Sequence, residues 1–294
     1  MCSEKYNCGL TLEHDFAHRE SKAFMPIRAH LHTEDIARPA LVLVHGLGSA
    51  GTIWNSLIPQ LIKHFTVYAV DLPGHGVAGL HPEEKYDPKS LAQAIVDEMG
   101  QTHGVTEMHV AGNSLGGWIA LEMGAVAPDK VKSITALAPA GLWHEPPKQK
   151  YPPSIDARIL AKISRHFMTL AYRIAPLKAI GYKKITHLWR ELSFESCRDS
   201  VLAMAHSRGY MPLWHAVRGR KFESQVPPHI NTSIVFGDYD LTLPEEIAQE
   251  KAIAPAHSNW IVVDNCAHVI MWNYPDLTVE FIRRTAKVVQ LNNE

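Results

Sequence analysis

Short apolar runs alternate with longer helical patterns from residue 40 onward, and this alternation limits most strongly how the chain can fold. Within the helical stretches, apolar residues recur three and four positions apart, which is typical of helices that pack one face on a sheet. Strands separated by helices predict a parallel sheet with crossover connections. The predicted strands are residues 40–46, 65–71, 108–114, 133–139, 232–238 and 259–265. Apolar and polar residues alternate with period two in "AFMPIRAHLH", so we expect the segment up to His32 to add an antiparallel hairpin at one edge of the sheet.

The composition indicates a compact soluble chain. Its 294 residues are 46% hydrophobic and carry a formal net charge of -1, which gives no overall attraction to nucleic acid or to a membrane. Charges are scattered through the first 25 residues, where a secretory signal would need an apolar run, and no later run reaches the roughly eighteen apolar residues of a membrane span. The four cysteines form no CxxC pair. We therefore expect a cytoplasmic protein with no nucleic-acid partner and no membrane span.

The strand pattern stops between residues 140 and 226. This segment opens with the proline-rich "PAGLWHEPPKQKYPPS" and continues with helical patterns. Residues 141–226 hold fifteen Lys and Arg against six Asp and Glu, a balance of +9, so the rest of the chain carries -10. We predict an inserted helical domain at 141–226 and a core domain formed by residues 1–140 and 227–294.

The charge and the aromatic content of this insertion each have two interpretations. Its basic residues could steer an anionic substrate, or they could be solvated and pair with the acidic body. Its aromatic and methionine residues, Phe167 and Met204 among them, could line a pocket for a medium-sized apolar acyl or aryl group, or form the insertion's own core.

A glycine-rich stretch, "HVAGNSLGGWIALEMG" at residues 109–124, joins a predicted strand to a predicted helix. A serine hydroxyl is a poor nucleophile unless a base, a group that orients the base and donors for the oxyanion lie beside it. Gly112, Ser114 and Gly116 match the sharp turn that exposes a nucleophilic serine. The backbone N–H of Leu115, at the start of the helix, is the first candidate oxyanion donor.

Three further segments follow predicted strands and supply the remaining groups. In "LVLVHGLGSAGTIW", the backbone N–H of Leu47 is the candidate for a second oxyanion donor. If the segment is only a turn at the end of a strand, His45 is a packed or hydrogen-bonded histidine. Asp238 and Asp240 follow a late strand, and His268 follows the last strand. These positions lie at the carboxyl edge of the sheet, in the chain order Ser, Asp, His.

These motifs together resemble the α/β-hydrolase superfamily, in the serine-nucleophile branch with a helical cap inserted after the sixth strand. "HGLG" at 45–48 is similar to the family's HGxG oxyanion loop, "DLPGHG" at 71–76 to its DxPGxG turn, and residues 112–117 to its nucleophile elbow. The spacing from Gly237 through Asp240 to Pro244 resembles the family's acid segment and favours Asp240 over Asp238. "NCAH" at 265–268 departs mildly from the usual CGH by having Ala267.

The resemblance implies an α/β-hydrolase fold: a mostly parallel eight-stranded sheet with helices on both faces and an inserted helical cap, or lid. It implies Ser114 as nucleophile, His268 as base, Asp240 as the acid that orients the base, and Leu47 and Leu115 as oxyanion donors, with no cofactor or metal.

The leading hypothesis for the reaction is hydrolysis of a small-molecule ester or thioester through an acyl-enzyme. Carbon–carbon hydrolysis of vinylogous diketones, cofactor-free perhydrolysis and a small-molecule receptor that keeps the triad are the alternatives. A dehalogenase or epoxide hydrolase of this fold would be expected to have aspartate at the position of Ser114. The sequence leaves the substrate open, and it leaves room for a homo-oligomer.

Overall fold

A computed structural model describes residues 25–33, 36–81, 84–152 and 154–288 of the chain. The described strands form one seven-stranded sheet with the order β1-β3-β2-β4-β5-β6-β7, in which β1 is antiparallel to β3 and every other pair is parallel. The strands are β1 (Arg28–Leu31), β2 (Ala40–Val44), β3 (Thr66–Asp71), β4 (Met108–Asn113), β5 (Val131–Leu137), β6 (Asn231–Gly237) and β7 (Asn259–Val263).

The six strands predicted from residue 40 onward are confirmed, with shifts of one or two residues at their ends. The described sheet has one strand fewer than the eight expected. β1 supplies one arm of the expected edge hairpin, but the chain then turns at residues 36–38 and enters β2 directly. The remainder of that prediction concerns residues 1–24, which lie outside the described residues.

Helices join the strands and cover the sheet. They are α1 (Ile58–Leu61), α2 (Pro88–Gln101), α3 (Leu115–Val126), α4 (Ile155–Ser164), α5 (Met168–Arg173), α6 (Ala175–Tyr182), α7 (Phe194–His206), α8 (Tyr210–Val217), α9 (Glu245–Ala248), α10 (Ile270–Asn273) and α11 (Pro275–Ala286), with 3-10 turns at Gly51–Trp54 and Lys251–Ile253. Every residue of β3 is buried, and successive strand side chains point to opposite faces, so both faces of the sheet are covered there. None of the helices in the described ranges is long and apolar enough to cross a membrane.

The register of the parallel strands brings five loops to one edge of the sheet. Val44 at the end of β2 lies beside Gly112 near the end of β4. Asn113 lies beside Leu137 at the end of β5, and Gly237 lies beside Val263 at the ends of β6 and β7. The segments that follow β2, β4, β5, β6 and β7 therefore meet at the carboxyl edge, where open α/β sheets bind ligands.

Helices α4–α8 occupy the stretch between β5 and β6 and rest on the loops of the carboxyl edge. Gly209, just before α8, donates its N–H to the carbonyl of Gly74 at 3.1 Å. This approach leaves no room for a side chain, since a Cβ on Gly209 would lie 2.0 Å from the carbonyl oxygen of Pro73. A second cluster of buried side chains holds these helices together: Tyr182, Trp189, Leu192 and Cys197.

Candidate active site

Ser114 occupies a strained turn between β4 and α3. Its φ of 57° and ψ of -119° lie outside the conformations that residues with a Cβ normally adopt, and its side chain is half-buried. Two backbone hydrogen bonds hold the turn, because the N–H of Ser114 donates to Leu137 at 2.9 Å and its carbonyl accepts from Ala140 at 2.9 Å. The predicted nucleophile therefore lies where a strained serine is expected.

The glycines two positions before and after Ser114 allow the backbone to pack closely at this turn. A Cβ on Gly112 would lie 2.1 Å from the carbonyl oxygen of Gly116, and one on Gly116 would lie 2.1 Å from that of Val44. Both distances are impossible for a real side chain, and backbone atoms cannot move aside as a flexible side chain can. Both glycines are thus required by the geometry of this turn.

Asp240 and His268 form the buried pair that the sequence predicts. His268 Nδ1 and Asp240 Oδ2 lie 2.7 Å apart, and the exposed fractions of the two residues are 6% and 2%. The other carboxylate oxygen of Asp240 accepts the N–H groups of Thr242 and Leu243, each at 2.8 Å. Burial alone raises the pKa of this carboxyl group, but His268 and the two N–H groups outweigh it and lower the pKa below its ordinary value. The ionised aspartate thus favours an Nδ1–H tautomer of His268, with Nε2 as the basic nitrogen.

Asp238, the other aspartate of the segment, has a different contact. Its carboxylate accepts the N–H of Cys266 at 3.0 Å, and the carbonyl of Cys266 accepts the N–H of Tyr239 at 2.8 Å. Asp238 therefore braces the loop that carries His268, whereas Asp240 touches the imidazole.

Asn113 is a site residue that the sequence reasoning missed. Its side-chain amide donates to the carbonyl of Leu137 at 3.1 Å and to the carbonyl of His268 at 3.2 Å. It joins the turn of Ser114 to the loop of His268, although within the described ranges no hydrogen bond links Ser114 and His268 directly. A polar residue at the buried end of β4, just before Ser114, is the signal that could have found it.

Leu47 and Leu115 present two backbone N–H groups near Ser114. Among the described residues, neither N–H has a hydrogen-bond partner. Leu115 begins α3 directly after Ser114, and Leu47 follows Gly46, at which an added Cβ would lie 3.6 Å from the Ser114 hydroxyl oxygen. Unpartnered donors beside a nucleophile are the arrangement that an oxyanion requires.

Two buried histidines hold the loop of Leu47 in place. His45 Nδ1 bonds to the carbonyl of Gly46 at 2.7 Å, and its Nε2 accepts the N–H of Leu72 at 3.0 Å. His75 bonds through Nδ1 to the carbonyl of Pro73 at 3.0 Å and accepts the N–H of Gly48 at 3.1 Å. Each ring donates once and accepts once, which requires the neutral form. His45 is thus a hydrogen-bonded structural residue.

Burial sets the protonation of both rings. Each is fully buried, and desolvation lowers the pKa of both below the ordinary value of 6.5. For His75, burial together with the neighbouring His45 lowers the pKa to about 3. Both imidazoles therefore stay neutral at physiological pH.

Residues of α4–α8 contact the candidate active site from two sides. Gly48 faces α7, since a Cβ there would lie 2.6 Å from the sulfur of Met204. On the other side, Val269 next to His268 donates its N–H to the carbonyl of Ile185 at 3.1 Å. Met204 and Ile185 both line a largely apolar cavity of about 380 Å³ within these helices. Residues that line an apolar cavity thus contact the loops of both Leu47 and His268.

Comparison with known proteins gives concordant matches. The sequence model of the Alpha/beta hydrolase family matches residues 41–281. A pimeloyl-(acyl-carrier protein) methyl ester esterase of Aeromonas salmonicida is 34% identical over 250 residues, which cover 83% of this chain and 94% of that protein. The enzyme of the same description from Nitrosospira multiformis is 26% identical over 264 residues, or 87% and 98% of the two chains. The enol-lactonase of Burkholderia xenovorans LB400 shares the fold, with a TM-score of 0.68 at 17% identity over 89% and 96% of the chains.

Replacing Gly116 by alanine should destabilise the protein severely, because the new Cβ would overlap the carbonyl oxygen of Val44. We expect the free energy of unfolding in urea to fall by about 3 kcal/mol or the chain to fail to fold. Gly100→Ala is the matched control, since Gly100 lies in α2 with only ordinary contacts around its Cβ position. That substitution should be neutral or stabilising by up to about 1 kcal/mol. Equal effects of the two substitutions would contradict the close packing inferred here.

The buried histidines should make stability fall as the pH falls. Unfolded His75 takes up a proton near pH 6.5, whereas the folded ring does so only near pH 3, so acid favours the unfolded state between these values. The free energy of unfolding should therefore decrease from pH 6.5 downward, and His75→Asn should make this decrease shallower while lowering stability at neutral pH. Urea unfolding over a pH series measures both, and an unchanged pH slope in the variant would contradict the neutral assignment.

Proposed function

Because this chain belongs to the Alpha/beta hydrolase family, we propose that it is a serine hydrolase that cleaves a small or medium-sized ester or thioester through an acyl-enzyme. One observation carries the proposal. At one edge of the sheet, a strained serine lies beside two unpartnered backbone N–H groups of the described residues and near a buried His–Asp pair.

In the proposed reaction, the Ser114 hydroxyl oxygen attacks the acyl carbon while His268 Nε2 takes the hydroxyl proton. The hydrogen bond from Nδ1 to Asp240 supports this role, because it keeps Nε2 unprotonated and stabilises the imidazolium that forms. His268 then returns the proton to the leaving oxygen or sulfur, which departs as an alcohol or thiol. Water, activated by the same nitrogen, hydrolyses the acyl-serine and restores the enzyme.

The N–H groups of Leu47 and Leu115 would stabilise the negative oxygen of each tetrahedral intermediate. The bonds from His45 and His75 fix the loop of Leu47 before substrate binds, so little reorganisation is needed during the reaction. The loss of a single donor in such a site costs about 100- to 1000-fold in turnover.

We assign residues 141–226 as a lid inserted into a core of residues 1–140 and 227–294, and we place the acyl group in the cavity of that lid. Two observations support a medium-length acyl chain there. The cavity lining is mostly apolar, and lining residues contact Gly48 and the backbone beside His268. The two relatives described above are pimeloyl-(acyl-carrier protein) methyl ester esterases, and their ester activity supports the proposal.

Removing the nucleophile tests the mechanism. Ser114→Ala should lower kcat for p-nitrophenyl butyrate by about four to six powers of ten, and Asp240→Asn should lower it by about four. Ser56→Ala is the matched control, because Ser56 is exposed and lies outside the proposed site. Steady-state and burst kinetics measure these effects. Hydrolysis that survives Ser114→Ala would refute the assignment, and turnover of a ring-fission diketone but of no ester would favour the carbon–carbon hydrolase.

The position of the acyl group is tested by filling the cavity. Ala161 is buried in α4 and lines the cavity, so Ala161→Leu should shorten the preferred acyl chain. In a p-nitrophenyl ester series, kcat/KM should fall by about fourfold for each buried methylene that is displaced, while the acetate ester serves as the internal control. An unaltered chain-length profile would place the acyl group elsewhere.

A further inference from the structure

Helices α4, α5 and α6 expose a concentration of large apolar side chains. Ile159, Ile163, Phe167, Leu170, Leu177 and Ile180 are all exposed, and Ile163, Phe167 and Ile180 are more than 60% accessible. We name this surface of α4–α6 the apolar cap face. Phe167 is therefore not part of the insertion's own core, and it lines the cavity within these helices. Scattered exposed apolar residues are ordinary, but a contiguous group of this kind usually marks a binding surface.

The same helices and their connections are strongly basic. Residues 154–184 include seven Lys and Arg and a single acid, Asp156. Lys162, Arg165, Arg173 and Lys183 are exposed, and no ion pair joins a Lys or Arg of this stretch to a carboxylate within the described ranges. Positive charge is therefore concentrated beside the apolar cap face, although the whole chain has a net charge of only -1.

The apolar cap face continues into the cavity of the lid. Ile163, Phe167, Leu170, Leu177 and Ile180 are exposed and also line that cavity. Met204 and Ile185, which also line it, contact the loops of Leu47 and His268. Residues that line the cavity thus also contact two loops of the candidate active site.

We propose that the apolar cap face docks on an anionic lipid bilayer, with α4–α6 lying in the interface and the flanking lysines and arginines on the headgroups. Short helices that combine large apolar residues with basic ones bind in this way, through buried apolar area and attraction to anionic lipids. An acidic protein partner would also satisfy the charges, but the bilayer accounts better for the six exposed large apolar side chains, and an acyl chain could pass from it into the cavity that five of them line. Entry of the acyl chain rests on the proposed function, whereas the docking does not.

Vesicle flotation tests the docking without any turnover. The full chain should float with phosphatidylcholine–phosphatidylglycerol vesicles and should not float with phosphatidylcholine alone. Phe167→Asp with Ile180→Asp should abolish flotation, and Lys162→Gln with Arg165→Gln should weaken it by on the order of tenfold. Ile36→Asp is the matched control, because Ile36 is 71% exposed on the body, near the opposite ends of the strands. Urea unfolding establishes that each variant is folded.

Four results would overturn the proposal: no flotation with either vesicle, flotation unchanged by the paired aspartates, an apolar cap face occupied by a second copy in sedimentation velocity, or binding to an acidic acyl carrier protein but not to vesicles. Hydrolysis of a p-nitrophenyl ester is measured separately. Flotation without hydrolysis would refute the proposed function and leave the docking in place, and hydrolysis without flotation would do the reverse.

Discussion

The left-handed conformation of Ser114 is the constraint on which the rest of this edge depends. Two backbone bonds, to Leu137 and from Ala140, tie the turn to the end of β5, so the neighbouring parallel strand holds the strain. The lack of room at Gly112 and Gly116 brings the start of α3 against the ends of β4 and β2. The same contact places the N–H of Leu115, which has no partner among the described residues, at the start of α3 directly after Ser114, and the conformation that costs stability is the one that presents the Ser114 hydroxyl.

Hydrogen bonds from polar side chains hold the surrounding loops in this geometry. Asn113 binds the serine turn to the His268 loop, Asp238 braces that loop, and the neutral rings of His45 and His75 fix the loop of Leu47. Each of these contacts ends on backbone, so it holds a loop in place whatever side chains the loop carries. Helices α4–α8 rest on the same loops. Movement of these helices would therefore act on the loops of Leu47 and His268 together.

The sequence alone predicts the parts of this structure that depend on local pattern. The buried strands are continuous apolar runs, and the serine turn needs small residues at two fixed positions, so both can be recognised from the order of residues. The spacing of the acid segment favours Asp240 over Asp238, but the contact of Asp238 with Cys266 and the partners of Asn113 depend on other segments. These facts arise only when distant segments meet. The exposed apolar side of α4–α6 was not predicted for a related reason, since periodicity predicts a helix but not whether anything covers its apolar side.

A crystal structure of the protein treated with a fluorophosphonate would test the central claim, that this edge is built to hold an oxyanion beside Ser114. We expect phosphorus bonded to the Ser114 oxygen, with the phosphonyl oxygen within hydrogen-bond distance of the Leu47 and Leu115 N–H groups and His268 Nε2 facing the serine oxygen. A phosphonyl oxygen that contacts neither N–H, or an adduct on another residue, would contradict it.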